Sequence, residues 1–392
     1  MHKAVIIGAA RTPIGSFMGS LSSETAPALG SVAILGALER AQIKSCDINE
    51  VIMGEVLQAG VGQAPARQAA LKAQIPAHVP CTTVNKVCGS GLKAIMMADQ
   101  SIRLGEAELV IAGGMESMSN APYALGKARA GLRMGDAQVT DLMIHDGLFD
   151  PYGHAHMGNF GDLCAKEHNF SRQDQDKFAC ESYEKALSAQ KAGYFSAEIQ
   201  PVNINTRAGV LNINSDEDPA KYQPPKMPGL RPSFSPEGTV TAANASKISD
   251  GAAALVIASQ DEAQKRKANI LGRIIASATF AAEPQWFTTA PAEAIRKVLK
   301  KASLKATDID CFEINEAFAV VPMYAIKELN LDPARVNIFG GAIALGHPIG
   351  CSGARLMVTM LNIMAQKKLK FGLVTLCLGG GEAVAMIVER GT

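Results

Sequence analysis

The sequence predicts an α/β protein of stacked sheet and helix layers, and two patterns support this prediction. Short β-forming runs alternate with alanine-rich helical stretches along the 392 residues, a pattern typical of helix-covered sheets with largely parallel strands. In addition, the helix–turn–strand segment Ala33–Ile48 is repeated by the segment Ala294–Ile309 at a constant offset of 261 positions. The sequence therefore predicts two similar α/β halves.

The strand prediction rests on six short apolar segments. In chain order they are Ala4–Gly8, Val51–Val56, Leu109–Ala112, Ala252–Ala258, Cys311–Ile314 and Leu373–Leu376. Further pairs extend the repeat: the turn Val87–Gly91 resembles Ile349–Gly353, and the strand with its glycines, Leu109–Glu116, resembles Leu373–Glu382. One pair could arise by chance, but several pairs in the same order favour an internal duplication.

The stretch between the two halves differs from them in composition. It contains most of the histidines, a helical stretch at Arg172–Ala192 and the proline-rich run Pro219–Pro236. We expect an insertion whose loops cover a site, not a third independent core. The predicted division is a first half of residues 1–117 with 248–270, an insertion at 118–247 and a second half at 271–392.

The composition excludes several classes of protein. The 38 basic and 37 acidic residues nearly cancel, so no nucleic-acid partner is expected. The longest apolar run is far shorter than the roughly eighteen residues of a membrane span, and the N-terminus does not read as a signal peptide. The eight cysteines contain no CxxC pair, which predicts reduced thiols in a cytoplasmic protein, not disulfides or zinc. The glycine patterns do not fit a dinucleotide fingerprint.

Two residues stand out as candidates for nucleophilic chemistry. Cys88 precedes Gly89-Ser90-Gly91 and a helical run, and a helix N-terminus favours the thiolate and lowers the thiol pKa. The alternative is a small buried apolar residue. His347 lies in a turn rich in glycine and proline that would fix its ring, although a lone histidine is more often structural.

Two further candidates follow strands. Cys377 precedes Gly379–Gly381, whose backbone N–H groups could line an anion pocket. Asn315 comes directly after the predicted strand Cys311–Ile314, at the kind of strand end where α/β sites form.

Four motifs together resemble a known family, the thiolases. They are Val84–Ala94 around Cys88, Asn315–Ala319, Gly346–Gly350 around His347, and Cys377–Gly381. The resemblance covers essentially the whole chain. It implies a duplicated thiolase fold of five layers, α-β-α-β-α, with an inserted loop domain, and a homotetramer built as a dimer of dimers.

The resemblance also implies residue roles. Cys88 would be the nucleophile that carries the acyl group as a thioester, and His347 the base that activates it. Cys377 would be the second acid/base, which removes the α-proton of a second acetyl-CoA. Asn315 would hold a water in one oxyanion hole with His347, and the N–H groups of Cys88 and Gly379 would form the other.

The motif around Cys88 is similar to that of the short-chain branch of the family. It implies reversible condensation of two acetyl-CoA to acetoacetyl-CoA and CoA, with no cofactor required beyond these substrates and products. Implied contacts with substrate or CoA are His156, Met157, Lys221, Tyr222, Gln223, Lys226, Ser246, Phe287 and Phe318. The alternative for the loop residues is a solvated polar loop.

The segment Pro284–Pro291 is similar to that of potassium-activated members that accept a 2-methyl group. The residues aligned with their potassium site are Tyr183, Ala242, Ala243, Ala245 and Ile343. Thr288 follows Phe287 where those members have proline, which leaves tolerance of methyl-branched substrates open.

Three rival functions remain at this point. The nearest is a 3-ketoacyl-CoA thiolase of longer chain length in fatty-acid β-oxidation. Decarboxylating condensing enzymes share the fold, but we expect a second histidine where this chain has Cys377. A non-catalytic acyl-CoA or lipid carrier would not need the set Cys88, His347 and Cys377.

Overall fold

The computed structural model describes residues 2–207 and 209–391, so the outermost bounds of the predicted halves, 1 and 392, lie outside it. The first part of the chain contains β1 (Ala4–Arg11), β2 (Gly15–Ser16), α1 (Ala26–Ala41), β3 (Glu50–Gly54), α2 (Pro65–Lys72), β4 (Cys81–Val84), α3 (Ser90–Leu104) and β5 (Leu109–Ser117). The middle part contains β6 (Tyr123–Leu125), β7 (Val139–Asp141), β8 (Phe149–Asp150), β9 (Ala155–His156), α4 (Met157–Glu167), α5 (Arg172–Lys191), β10 (Val202–Thr206) and β11 (Gly209–Ile213). The last part contains β12 (Ser249–Ser259), α6 (Gln260–Lys265), β13 (Gly272–Ala281), α7 (Ala290–Ala302), β14 (Cys311–Ile314), α8 (Val320–Leu329), α9 (Ala342–Leu345), α10 (Ile349–Lys367), β15 (Phe371–Leu378) and β16 (Glu382–Arg390).

The main sheet repeats one strand order on either side of its centre. Its order is β14-β15-β16-β13-β1-β12-β5-β3-β4, with β2 paired to β12. Read outward from the centre, β1-β12-β5-β3 therefore corresponds to β13-β16-β15-β14. Within the sheet, the described residues of the two halves join through two residue pairs, Val5 with Arg273 and Ile6 with Gly272. This symmetry confirms the duplicated fold that the 261-residue offset predicted.

The helices complete five layers. Helices α1 and α2 pack together on the outer face of the first half, and α7 packs with α8 on the outer face of the second. Between the halves, α10 contacts α3 and also touches β5 and β12 of one half and β14 and β15 of the other. Helices α3 and α10 therefore form the central layer, with both of their faces covered, which explains why α10 is buried along most of its length.

The expectation of largely parallel strands is wrong, although all six predicted strands are present. Among the described strands of the main sheet, only the pairs β3–β4, β3–β5 and β14–β15 are parallel. Strands β15 and β16 are joined by the short turn Gly379–Gly381, and so short a connection can only produce antiparallel neighbours. Strand β12, which returns after the long middle segment, is antiparallel to both β1 and β5.

Helices α3 and α10 touch backbone to backbone at two glycines. A side-chain carbon added to Gly91 would lie 2.8 Å from the backbone nitrogen of Ala354. One added to Gly353 would overlap the backbone of Leu92. Gly91 and Gly353 occupy equivalent places in the repeated turns Val87–Gly91 and Ile349–Gly353. The contact therefore joins equivalent first turns of the two central helices.

The middle segment supplies small hairpins and two longer helices. Strands pair as β6–β7, β8–β9 and β10–β11, and α5 packs against α9 of the second half. The predicted helix Arg172–Ala192 is α5, which ends at Lys191. Within residues 2–207 and 209–391, no helix combines the length and the apolar character needed to cross a membrane.

Candidate active site

A pocket of about 470 Å³ lies where the first turns of α3 and α10 meet the end of β15. Nine of the predicted catalytic and substrate-binding residues line it: Cys88, His156, Met157, Ser246, Phe287, Phe318, His347, Cys377 and Gly379. The three candidate catalytic side chains come from far-apart parts of the sequence, and the fold brings them into one cavity.

Cys88 is presented by a turn just before α3. Gly89 is the N-cap of the helix, and Val87 adopts a φ of 45°. The hydroxyl of Ser90 secures this turn, since it accepts from the N–H of Lys86 at 2.8 Å and donates to the carbonyl of Val87 at 2.6 Å. The turn thus aims the sulfur at the pocket while the helix begins behind it.

The expected lowering of the Cys88 pKa is wrong. Burial in largely apolar surroundings raises the pKa to about 12, although the N–H groups of Gly379 and of Cys88 itself act in the opposite direction. Loss of hydration of the thiolate thus outweighs the two N–H groups. The sulfur of Cys88 thus lies within hydrogen-bonding reach of the backbone N–H of Gly379.

Hydrogen bonds define the tautomer of His347. Its Nδ1 lies 2.6 Å from Oγ of Ser352, and this hydroxyl is 2.9 Å from the carbonyl oxygen of Pro348. Because the carbonyl can only accept, the hydroxyl donates to Pro348 and accepts from Nδ1–H. Nε2 therefore carries the lone pair, and Nδ2 of Asn315 lies 3.3 Å from it.

His347 is a neutral ring in this setting. Burial lowers its pKa to about 3, and the charge of Arg355 acts in the same direction. Cys88 and His347 are therefore a neutral thiol and a neutral imidazole at pH 7. A neutral imidazole is the form that can accept a proton.

Asn315 is completely buried and lies directly after β14. Its N–H donates to the carbonyl of Thr375 at 3.0 Å, which fixes it to the neighbouring strand. Its Oδ1 has no hydrogen-bond partner within the described residues. A buried amide oxygen of this kind can accept a hydrogen bond from a further donor in the site.

Cys377 is buried near the end of β15. Burial raises its pKa well above the ordinary value, and the nearby Cys88 adds to the rise. The turn that follows needs glycine, because Gly380 and Gly381 have φ values of 87° and 85°. This turn returns the chain into β16 and leaves the Gly379 N–H beside Cys88.

The predicted CoA contacts Lys221, Tyr222, Gln223 and Lys226 line a second cavity of about 220 Å³. Asp218, Ala242 and Lys247 line both cavities, so the two are neighbours. The Lys221 ammonium is already engaged, at 2.9 Å from Glu217 and 3.4 Å from Asp218. Lys226 makes no ion pair within the part of the chain described here.

The five residues aligned with a potassium site do not present a free set of ligands. Tyr183, Ala242 and Ala243 line the second cavity and Ala245 the first, whereas Ile343 is fully buried in α9. The carbonyl oxygens of Ala242 and Ala245 both accept from the Lys247 ammonium, the second at 3.1 Å. Burial lowers the pKa of Lys247 to about 8, so the ammonium form still predominates at pH 7.

Sequence reasoning missed Ser352 and Lys247. Ser352 could have been found through the repeat, because it matches Ser90 in the turn Val87–Gly91. Lys247 had no comparable signal. Its contacts depend on how the segment 241–247 folds back on itself, and neither spacing nor residue type reveals this.

The chain is similar to known proteins along almost its whole length. The family profile described as "Thiolase, N-terminal domain" matches residues 4–261, and "Thiolase, C-terminal domain" matches residues 268–390. "Acetyl-CoA acetyltransferase 1" of Arabidopsis thaliana is 50% identical over 98% of this chain and 93% of its own length. "Acetyl-CoA acetyltransferase ERG10, cytosolic" of Gibberella zeae is 47% identical over 98% of both chains. "Acetyl-CoA acetyltransferase, mitochondrial" of Mus musculus is 49% identical over all of this chain and 92% of its own.

Proposed function

Because the chain belongs to the thiolase family, we propose that it is an acetyl-CoA C-acetyltransferase, which joins two acetyl-CoA to acetoacetyl-CoA and CoA and also catalyses the reverse reaction. The convergence of Cys88, His347 and Cys377 on one pocket carries this proposal. The names of the relatives in plants, fungi and mammals support the same activity. The longer-chain alternative is not favoured.

The first half-reaction transfers an acetyl group to Cys88. Nε2 of His347 takes the thiol proton, and the sulfur forms a bond to the carbonyl carbon of acetyl-CoA. The negative charge on the carbonyl oxygen is stabilised by the N–H groups of Cys88 and Gly379. The bond to the CoA sulfur then breaks, and the proton held by His347 goes to the departing thiolate.

The second half-reaction forms the carbon–carbon bond. The Cys377 thiol first passes its proton to Nε2 of His347, and the resulting thiolate removes the α-proton of a second acetyl-CoA. The Nε2–H of His347 and a water that Asn315 holds then stabilise the enolate oxygen. The enolate carbon bonds to the acetyl carbon on Cys88, whose sulfur leaves and takes the proton held by His347, while Cys377 keeps the α-proton. Oδ1 of Asn315, without a partner in the described residues, supports the water-holding role.

The residues that line the pocket favour a substrate with a short acyl group. Met157, Phe287 and Phe318 line the pocket with the candidate catalytic residues, and the rings of Phe287 and Phe318 lie edge to face at 6.3 Å. We assign residues 118–247 to CoA binding. In this assignment Tyr222, Gln223 and Lys226 contact the nucleotide end of CoA in the second cavity, and Ser246 and His156 lie along the pantetheine arm.

Mass spectrometry after exposure to acetyl-CoA tests the nucleophile. We expect one acetyl group on Cys88 and none on the exposed Cys46, which serves as an internal control for non-specific acylation. An unlabelled Cys88 would overturn the assignment, and it would also favour a non-catalytic carrier.

Comparing the thiolysis of acetoacetyl-CoA with that of a long-chain ketoacyl-CoA tests the preferred chain length, because a clear preference for the long chain would contradict the proposal.

We also propose a cytoplasmic homotetramer. The middle segment exposes Leu132 to 50% and Met134 to 93%, and apolar side chains of this kind are typical of an association surface. Light scattering on the purified protein tests the assembly, with an expected mass four times the chain mass of 41.2 kDa.

A potassium ion is not part of the proposed function, because the carbonyl oxygens of Ala242 and Ala245, which were expected as its ligands, accept hydrogen bonds from Lys247.

A further inference from the structure

The side chain of Lys247 folds back onto the loop that precedes it. Its ammonium donates to the carbonyl oxygens of Ala242 and Ala245, and it lies 5.7 Å from the centre of the Tyr183 ring. Asp218 lines the same two cavities as Lys247 and attracts its charge. Two carbonyls, an aromatic face and a carboxylate thus surround one cation, which is a favourable setting for positive charge.

The backbone of the same residue reaches the candidate base. The carbonyl of Lys247 accepts from the N–H of His347 at 3.0 Å and from Oγ of Ser249 at 3.0 Å. Because His347 begins the turn into α10, this bond fixes the start of that turn. A shift of the Lys247 backbone would therefore pull on the backbone that carries the ring.

The loop is also fastened to the segment that follows β14. The N–H of Ser246 donates to the carbonyl of Ala317 at 3.0 Å, and the N–H of Ala319 donates to the carbonyl of Asn244 at 3.0 Å. The loop 241–247 thus connects the second cavity with two parts of the site, the turn at His347 and the segment that begins with Asn315.

We propose that the Lys247 ammonium is the built-in cation of this loop, a positioning residue that takes the carbonyl ligands a potassium ion would need. The inference rests on the proposed function only for what the neighbouring pocket binds. The contacts of the Lys247 ammonium do not depend on that function. An ammonium and a potassium ion cannot both occupy the carbonyl oxygens of Ala242 and Ala245. The protein therefore holds its loop in place without a dissolved cation.

Thermal unfolding and kinetics in potassium, sodium and choline chloride at equal ionic strength test the proposal. We expect the unaltered protein to have the same melting temperature and the same turnover in all three salts. Turnover or melting temperature that rises in potassium relative to sodium would overturn it. The melting measurement needs no activity, so failure of this inference and failure of the proposed function are distinguishable.

The variant Lys247→Met removes the charge and keeps a long side chain. We expect a lower melting temperature and a several-fold higher KM for acetoacetyl-CoA, with potassium restoring part of both and choline restoring neither. Lys301→Met is the matched control, because Lys301 also donates to a backbone carbonyl, that of Ser277 at 3.1 Å, but does not line the pocket. A Lys247→Met protein with unchanged melting temperature and KM in every salt would overturn the proposal, as would equal potassium effects in both variants.

Discussion

Oγ of Ser352 accepts a hydrogen bond from Nδ1 of His347 at 2.6 Å, and this single contact determines which ring nitrogen faces the pocket as a base. Ser352 is fully buried and donates its own proton to the carbonyl of Pro348. The ring is therefore held in one tautomer before any substrate arrives, and reorienting it would cost a buried hydrogen bond.

The variant Ser352→Ala should lower kcat about tenfold or more, since a lost buried hydrogen bond costs about 1–3 kcal/mol. KM should change little, because Ser352 contacts the ring and not the pocket lining. Steady-state kinetics measure both constants, and circular dichroism checks the fold. An unchanged kcat would contradict the role of Ser352 in holding the tautomer.

The resting site should contain no thiolate on Cys88 at neutral pH. Burial raises the pKa of Cys88 to about 12 and lowers that of His347 to about 3, and both changes favour the neutral pair. Absorbance at 240 nm, compared between the protein and Cys88→Ser, should therefore show no thiolate step between pH 6 and about pH 9. A difference that titrates near pH 7 would indicate an ion pair instead.

Cys377→Ala should separate the two half-reactions. Acetylation of Cys88 should persist, because it uses His347 and the N–H groups beside the sulfur. Condensation should be lost, because Cys88, the other cysteine that lines the pocket among the described residues, then carries the acetyl group and cannot remove the α-proton. Acetyl transfer is followed by mass spectrometry and condensation by formation of acetoacetyl-CoA. Equal loss of both would contradict this division of roles.

Acid should destabilise the protein partly through His347. Its pKa is about 3 in the folded chain and about 6.5 in an unfolded one, so the unfolded state binds the extra proton between these values. The contribution is fully present above pH 6.5 and is lost as the pH falls toward 3. Urea unfolding measures the free energy of unfolding at pH 7 and at pH 5. This free energy should fall less between the two pH values in His347→Gln than in the unaltered protein. An equal fall in the free energy of unfolding would exclude His347 as a cause. Burial raises the pKa of Glu116 to about 7, which acts on stability in the opposite direction, but this effect is the same in both proteins and cancels in the comparison.

Gly353→Ala should destabilise the central layer, since the added carbon meets the backbone of Leu92. Overpacking in a core costs about 1–3 kcal/mol, and denaturant unfolding measures it. Gly126→Ala is the control, because a carbon added there has no neighbour within 4 Å. Equal stability of the two variants would show that the helices can move apart.

The repeat could be predicted from sequence because equivalent segments keep their spacing, and the motifs identified Cys88, His347 and Cys377. Whether neighbouring strands run parallel or antiparallel could not be predicted. This depends on whether the connection between them crosses over the sheet or turns straight back, as it does at Gly379–Gly381. The pKa of Cys88 was mispredicted from the helix end alone. It depends on the atoms that the other half of the chain packs around the sulfur.

The glycine contact between α3 and α10 has a consequence for how this site can diversify. Cys88 and His347 stand at the starts of helices whose backbones touch at Gly91 and Gly353, so a larger side chain at either glycine would push the helices apart and shift the nucleophile relative to the base. The pocket is also lined by residues away from this contact, among them Met157 and Phe287. New acyl preferences are therefore expected from substitutions at such wall residues, which leave the spacing of Cys88 and His347 undisturbed.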